Sequence, residues 1–320
     1  MAHEWREQQG KEALAEVDAF IAENPDYTRQ GVDQPGQGVT NWGVFARRDG
    51  ETVAFKVFCD TERKEREGFA FKHWGPSGLV PRLIYDAGPR MIVMSYLPGT
   101  YLPSSREVDG EGPWRRACRE VGHAIGSLTR ITLGAADRAD FESRYYDGLG
   151  PLEAYLGRII ELGRSVQARD PDFSDHFWKE NLDFIESQLE AIFSQPRVLY
   201  HRDIGNLHVK QGRFIGFFDL EMCRVGCASM QLASASGMLH GDQGGWQLFR
   251  EGWQAATGSQ LSLDDRKAAA AANHALHWRE ITRYLSYDGT PGTGFHWASP
   301  ADPARYREGI ETVQRMLEVE

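Results

Sequence analysis

The stretch VLYHRDIGNLHVKQGRFIGFFDLE, residues 198–221, places a histidine, two aspartates and an asparagine within one turn-and-hairpin pattern. The run RVLY (197–200) has β-type composition and delivers His201, Arg202 and Asp203 at its end. The segment LHVKQGRFIGFFDLE (207–221) then alternates apolar residues around Gly212, as a hairpin does, and ends in Asp219. A carboxylate at each of two strand ends suits Mg²⁺-assisted phosphoryl transfer. One carboxylate orients an acceptor hydroxyl and takes its proton, and the other holds the metal that bridges the phosphates. An amide oxygen such as that of Asn206 suits a remaining position on the same hard cation.

Upstream, Leu14, Val17, Phe20 and Ile21 recur at helical spacing and predict an amphipathic helix over 10–23. GQGVTNWGVFARRDGETVAFKVF (36–58) reads as a β-hairpin, with two apolar-aromatic runs flanking the turn signal Asp49-Gly50. ERKEREGFAFKHW (62–74) returns to a helical pattern, and LVPRLIYDAG (79–88) and RMIVMSYLPG (90–99) read as strands. The Pro/Gly/Ser-rich stretch LPGTYLPSSREVDGEGP (97–113) reads as a linker. Helices then dominate, over roughly 113–133, 150–167, 175–194, 229–240, 246–256, 263–286 and 303–318. No internal repeat is present.

Bulk properties narrow the function classes. Apolar residues at 41% and charged residues at 26% describe an ordinary globular chain. A net charge of −10 argues against a nucleic-acid partner, which calls for a basic stripe, and mildly favours neutral or cationic ones. The four cysteines lack metal-site spacing and are too few for a disulfide scaffold. The N-terminus has charges throughout and no apolar signal core, and no apolar run reaches membrane-spanning length; a cytoplasmic location is expected, without a membrane partner. Packing is the default role of the scattered tryptophans, with Trp42 alone standing where it could touch a nucleotide.

Taken in chain order, these segments resemble the aminoglycoside phosphotransferases and kindred small-molecule kinases, relatives of the protein kinases. HRD…N…FFDLE resembles that family's catalytic loop and metal segment, and VAFK resembles its lysine strand. The resemblance implies an α+β, two-lobed, protein-kinase-like fold: a small β-rich lobe over 1–96 and a large, mainly helical lobe over 97–320. It places Lys56 on the nucleotide phosphates with Glu67, or failing that Glu65, as its ion-pair partner. Ser95 to Leu97 would meet the purine through their backbone, and Thr40 and Asn41 lie where the phosphate-covering loop belongs. Asp203 would be the catalytic base, with Asp219 and Asn206 on Mg²⁺. His201 would support the loop, and Glu221 would be either a second metal-side carboxylate or a surface residue, with the surface reading ahead.

Two departures accompany the resemblance. Only Ile204 and Gly205 separate Asp203 from Asn206, where the usual loop has four residues, so His208 falls at the usual interval and competes with Asn206. The ungapped downstream segment favours Asn206, and imidazole is a poor ligand for Mg²⁺. Gly205 would supply the unusual dihedrals of the shortened bend. The second departure is Gln231 in CASMQLA, near which the family often has an aspartate bracing the loop. A helical pattern resumes by residue 229, leaving no room for the activation segment with which protein kinases dock a peptide, so no protein substrate is expected. The resemblance implies transfer of the γ-phosphoryl group of ATP or GTP to a hydroxyl of a small molecule. An antibiotic of aminoglycoside, cyclic peptide or nucleoside type is the first reading. A metabolite kinase acting on a sugar or amino alcohol is the second, and a nucleotide-binding pseudokinase the third.

Overall fold

The computed structural model of the chain describes residues 2–30, 36–37, 41–145, 151–239, 242–285 and 302–318. It contains two units. The first is Met1–Gly99 with Asn206–His208 and Ile215–Met222; the second is Thr100–Gly205 with Val209–Phe214 and Cys223–Glu320.

The first unit opens with α1 (Ala2–Glu23), followed by β1 (Tyr27–Arg29), β2 (Gly36–Gln37), β3 (Trp42–Arg48), β4 (Glu51–Val57), α2 (Thr61–Trp74), β5 (Leu83–Asp86) and β6 (Met91–Ser95). The sheet runs β1-β3-β4-β6-β5, with β2 pairing β3. Its register is set at the tip of the β3–β4 hairpin, where Asp49 and Gly50 take φ of 51° and 82° and Arg48 pairs Glu51. Two successive positive φ values make the turn whose twist matches that of the flanking strands, and Asp-Gly tolerates them. Strand alternation then sorts β4: Val53, Phe55 and Val57 join Val44, Ala46, Met91 and Val93 in a core closed by Ala13 and Val17 of α1. Lys56, between Phe55 and Val57, points to the other face. Trp42 belongs to this core, where a Cβ at Gly10 of α1 would lie 3.1 Å from its Nε1, so it packs beneath α1 instead of meeting a ligand. Asp60 caps α2 by accepting from the Arg63 N–H at 2.8 Å.

The second unit is mainly helical. It holds β7 (Thr100–Tyr101), α3 (Leu102–Asp109), α4 (Glu111–Leu128), α5 (Ala135–Tyr145), α6 (Leu152–Arg169), α7 (His176–Ser187), α8 (Leu189–Phe193) and β8 (Val198–His201). The hairpin β9 (Leu207–Lys210) and β10 (Arg213–Phe217) follows, its ends belonging to the first unit and its tip to the second. After it come β11 (Cys223–Gly226), α9 (Ala228–Met238), α10 (Gln243–Thr257), α11 (Leu263–Tyr284) and α12 (Pro303–Glu318). This is the mixed α+β arrangement expected, an antiparallel sheet followed by a mostly helical remainder.

Three local expectations fail. The supposed linker 97–113 contains α3, which buries Leu102 and Ser105. Proline is compatible with a first helical turn, where its missing N–H is not needed, and Gly110 at φ 91° ends the helix. Helix α5 was not anticipated, and the helix expected over 175–194 breaks at Gln188 into α7 and α8. The closest packing in this unit is between α4 and α10. A Cβ at Gly122 would lie 2.0 Å from the Phe249 carbonyl oxygen, and one at Gly252 would lie 1.9 Å from that of Arg119. Only glycines at these two positions permit the approach.

Candidate active site

The sequence-identified residues fall into two groups, one in each unit. The first group forms where β4, α2 and the segment after β10 meet. Asp219 follows β10 in the left-handed region, at φ 59°, a conformation that aspartate tolerates better than most residues. Its Oδ1 accepts from Lys56 Nζ at 2.5 Å. Lys56 also donates to Glu67 Oε2, and Glu221 Oε2 lies 3.5 Å away. One ammonium therefore serves three carboxylates, two of which, Glu67 and Glu221, are almost fully buried. Burial by itself would depress the Lys56 ammonium, but Glu67, then Asp219 and Glu221, outweigh it and hold Lys56 firmly charged. Burial raises the Glu67 carboxyl to about 7 against the opposing pull of Lys56.

Glu221 is the main correction here. Its surface reading fails, because it is 2% exposed. It accepts from Arg63 Nη1 at 2.6 Å and from the Asn41 amide. The Asn41 Oδ1 in turn accepts from the Cys59 N–H at 3.3 Å. Asn41 is thus buried and engaged with protein on both ends of its amide, whereas Thr40 lies outside the described residues. The carboxylates of Glu67, Asp219 and Glu221 offer oxygen atoms within 4.8 Å of one another. Asn206 Nδ2 donates to the other Asp219 oxygen, Oδ2, at 3.2 Å. Such an all-oxygen set, carboxylates beside an amide that can turn its own oxygen inward, fits Mg²⁺ and suits softer metals poorly.

His208 is placed elsewhere. Its Nδ1 donates to the Leu97 carbonyl at 2.8 Å, and its ring packs 4.7 Å from that of Phe218. Geometry therefore puts Asn206 beside Asp219 and leaves His208 anchoring the segment after β6. In that segment the Ser95 N–H donates to the Arg82 carbonyl and its Oγ accepts from the Arg82 N–H, both at 2.9 Å. The Ser95 amide and the Leu97 carbonyl are accordingly each paired with a protein group.

The second group surrounds the end of β8. Strand β8 pairs β11 antiparallel, with His201 opposite Cys223. His201 is fully buried, and its Nδ1 accepts from the Asp203 N–H at 3.1 Å, which pins the turn carrying the exposed Asp203. Gln231 of α9 completes the brace. Its Oε1 accepts from the His201 N–H at 2.8 Å and its Nε2 donates toward the His201 carbonyl at 3.4 Å. One amide, with a donor and an acceptor, thus satisfies both backbone groups of His201. The shortened bend forms as a turn over 202–205 without a positive φ at Gly205, contrary to expectation. Arg202 turns inward and donates to Glu280 of α11, which also accepts from Arg279 at 2.9 Å. The Glu280 pairing leaves no local signal, since its partner is 78 residues away, whereas Gln231 stands where the family resemblance puts the loop brace and, as an amide, takes up that position.

Residues 34–271, most of the chain, match the model of the phosphotransferase enzyme family. The chain belongs to this family. Solved structures of the same kinase-like fold align over nearly its whole length. An ethanolamine kinase from Plasmodium vivax matches at TM-score 0.60 and 13% identity, covering 94% of this chain and 84% of its own. A putative aminoglycoside phosphotransferase from Ralstonia eutropha matches at TM-score 0.59 and 14% identity, covering 95% and 98%. An aminoglycoside phosphotransferase solved with ADP and hygromycin B matches at TM-score 0.56 and 11% identity, covering 95% and 99%. No curated protein matches the sequence. The family and the fold make this a kinase-type phosphotransferase. No helix among the described residues is long and apolar enough to cross a membrane.

Proposed function

We propose that the protein transfers the γ-phosphoryl group of ATP or GTP to a hydroxyl of a small molecule, with Mg²⁺ as the metal. The observation that carries this reading is the convergence of Lys56, Glu67 and Asp219, from three separate elements, on one ion-paired cluster. Lys56, oriented by Glu67, donates to phosphate oxygens of the nucleotide in place of its contact with Asp219. Asp219 and Asn206 supply oxygen ligands to the cation, which when bound neutralises charge on the transferred group. Glu221, held by Arg63 and Asn41, keeps negative charge behind Asp219 and is available as a further oxygen donor. Asp203, on a turn fixed by His201 and Gln231, orients the acceptor hydroxyl and accepts its proton. Positioning and charge stabilisation carry such a reaction, and no covalent enzyme intermediate is required.

An antibiotic inactivated by phosphorylation is the first reading of the acceptor, and support comes from fold relatives such as the phosphotransferase solved with hygromycin B. A metabolite acceptor is the second, favoured by the equally similar ethanolamine kinase. The test incubates the protein with Mg²⁺, ATP or GTP and hydroxylated antibiotics and metabolites, and uses mass spectrometry to find a gain of one phosphoryl group. Transfer that disappears in Asp203→Ala is expected. Nucleotide binding with neither transfer nor slow hydrolysis would instead mark a pseudokinase.

A further inference from the structure

In the second unit a cavity of about 320 Å³ opens beside Asp203. Tyr101, Ser104, Arg202, Asp203, Ser234 and Met238 contribute its chemistry. Among the described residues lining it, Asp203 is the sole carboxylate, and the other charge is the guanidinium of Arg202. That guanidinium shares its partner with another. Glu280 accepts from both Arg202 and Arg279, so one carboxylate is shared between two cations, and Asp203 is the further carboxylate that acts on Arg202. Arg202 is 13% exposed, and Glu280 takes one of the five N–H donors that a guanidinium carries. Burial would lower the Arg202 guanidinium, but Glu280 more than compensates and keeps it charged; Arg202 and Arg279 in turn hold Glu280 ionised despite its burial. The chain as a whole carries −10, whereas the described residues of the cavity wall carry one positive and one negative charge.

A polycation placed there would face a fixed guanidinium with a single carboxylate to answer it, and that carboxylate is the one needed for the hydroxyl. Juxtaposition of like charges is one electrostatic means of rejecting a ligand. Hydroxyls of Ser104, Ser234 and Tyr101 and the thioether of Met238 suit an uncharged scaffold. We infer that the acceptor is a small hydroxylated molecule bearing an anionic or carbonyl-type acceptor group and no ammonium group, and that Arg202 is the residue that selects it. This inference rests on the phosphotransferase reading and narrows its substrate class: aminoglycosides and amino alcohols are disfavoured, and nucleoside-like molecules, hydroxy acids and sugar phosphates are favoured.

The experiment measures acceptor-dependent release of nucleoside diphosphate with Mg²⁺ and ATP or GTP for acceptors graded by charge. Kanamycin and choline represent cations, uridine and glycerol neutral alcohols, and glycerate and glycerol 3-phosphate anions. The expected order of kcat/KM is anionic, then neutral, then cationic. Arg202→Gln should lower kcat/KM for the best anionic acceptor about ten- to a hundredfold, mainly through KM, because a charge-assisted hydrogen bond is lost. Glu280 keeps Arg279 as its partner in that variant, so the fold is not asked to strand a carboxylate. Arg202→Lys, which retains the charge, should preserve the order of preference. Turnover that favours a cationic acceptor, or is indifferent to charge, overturns the inference and leaves the phosphotransferase reading standing. Absence of turnover with every acceptor, with nucleotide hydrolysis unchanged in Asp203→Asn, sinks that reading and the inference with it.

Discussion

Replacing Gly122 by alanine should destabilise the helical unit, although alanine is the better helix former. The Cβ would sit 2.0 Å from the Phe249 carbonyl oxygen, 2.8 Å from its carbon and 2.9 Å from its Cα. These are backbone atoms of α10, so no rotamer change relieves the overlap. Helices α4 and α10 must move apart by about 1 Å or more, loosening the packing of the buried side chains they carry, Val121 and Ile125 on one and Phe249 and Trp253 on the other. Overpacking of this kind costs about 1–3 kcal/mol and a backbone clash belongs at the upper end. The gain in helix propensity returns about 1 kcal/mol, leaving a net loss of about 2 kcal/mol. For a unit of this size that lowers Tm by roughly 4–8 °C. Gly157 supplies the control, since it is an exposed glycine inside α6 with nothing within 4 Å of its would-be Cβ. Gly157→Ala should stabilise by about 0.5–1 kcal/mol. Calorimetry or urea unfolding of the two variants should therefore give opposite signs for one chemical change. Adding Gly252→Ala to Gly122→Ala should cost less than its single effect, because the helices have already separated. Equal effects at positions 122 and 157, or strict additivity of 122 and 252, would refute the steric argument.

Other consequences can be checked separately. Gln231→Ala strips both side-chain partners from the His201 backbone and should cost about 1–3 kcal/mol. It should lower kcat while leaving nucleotide KM unchanged, because no nucleotide-side residue is touched. Asn206→Ala should raise the Mg²⁺ concentration needed for half-maximal turnover about 10–100-fold, whereas His208→Ala should leave that titration in place; the reverse outcome would restore the alternative register. Burial, then His277, drives the His274 imidazole down to about 3, below the ordinary 6.5. A depressed folded-state value gives stability that is complete above pH 6.5 and lost as pH falls, since the unfolded chain takes up the proton first. Between pH 6.5 and 5 the loss is about 2 kcal/mol at 1.36 kcal/mol per pH step. Unfolding curves of His274→Gln should be flatter over that interval, and an unchanged slope would assign the acid sensitivity to other groups.

Much of this molecule is written in local pattern. The Asp49-Gly50 turn, the alternation of β4 and the helical spacings of the later chain depend on dihedral preferences and on the 2- and 3.6-residue periods, which a reader of the sequence can apply directly. Lys56 could be singled out inside an apolar strand, and Asp203 and Asp219 because each follows one, in a recognisable order. The stretch at 97–113 was misread because proline and glycine punctuate loops in general, and the burial of Leu102 that fastens α3 is a tertiary event.

Pairings across long separations were decided only by the folded chain. Glu221 looks like any acidic residue beside a hairpin until Asn41, 180 positions away, and Arg63, 158 positions away, enclose it. The competition between Asn206 and His208 could be posed from spacing, but it was resolved by the Leu97 carbonyl claiming the imidazole. Arg202 is likewise paired only in the fold, with Glu280 78 positions away. The physical reason is common to these cases. Backbone preference acts over a few neighbouring residues, whereas burial and charge pairing depend on which distant side chains the topology brings within a few ångströms.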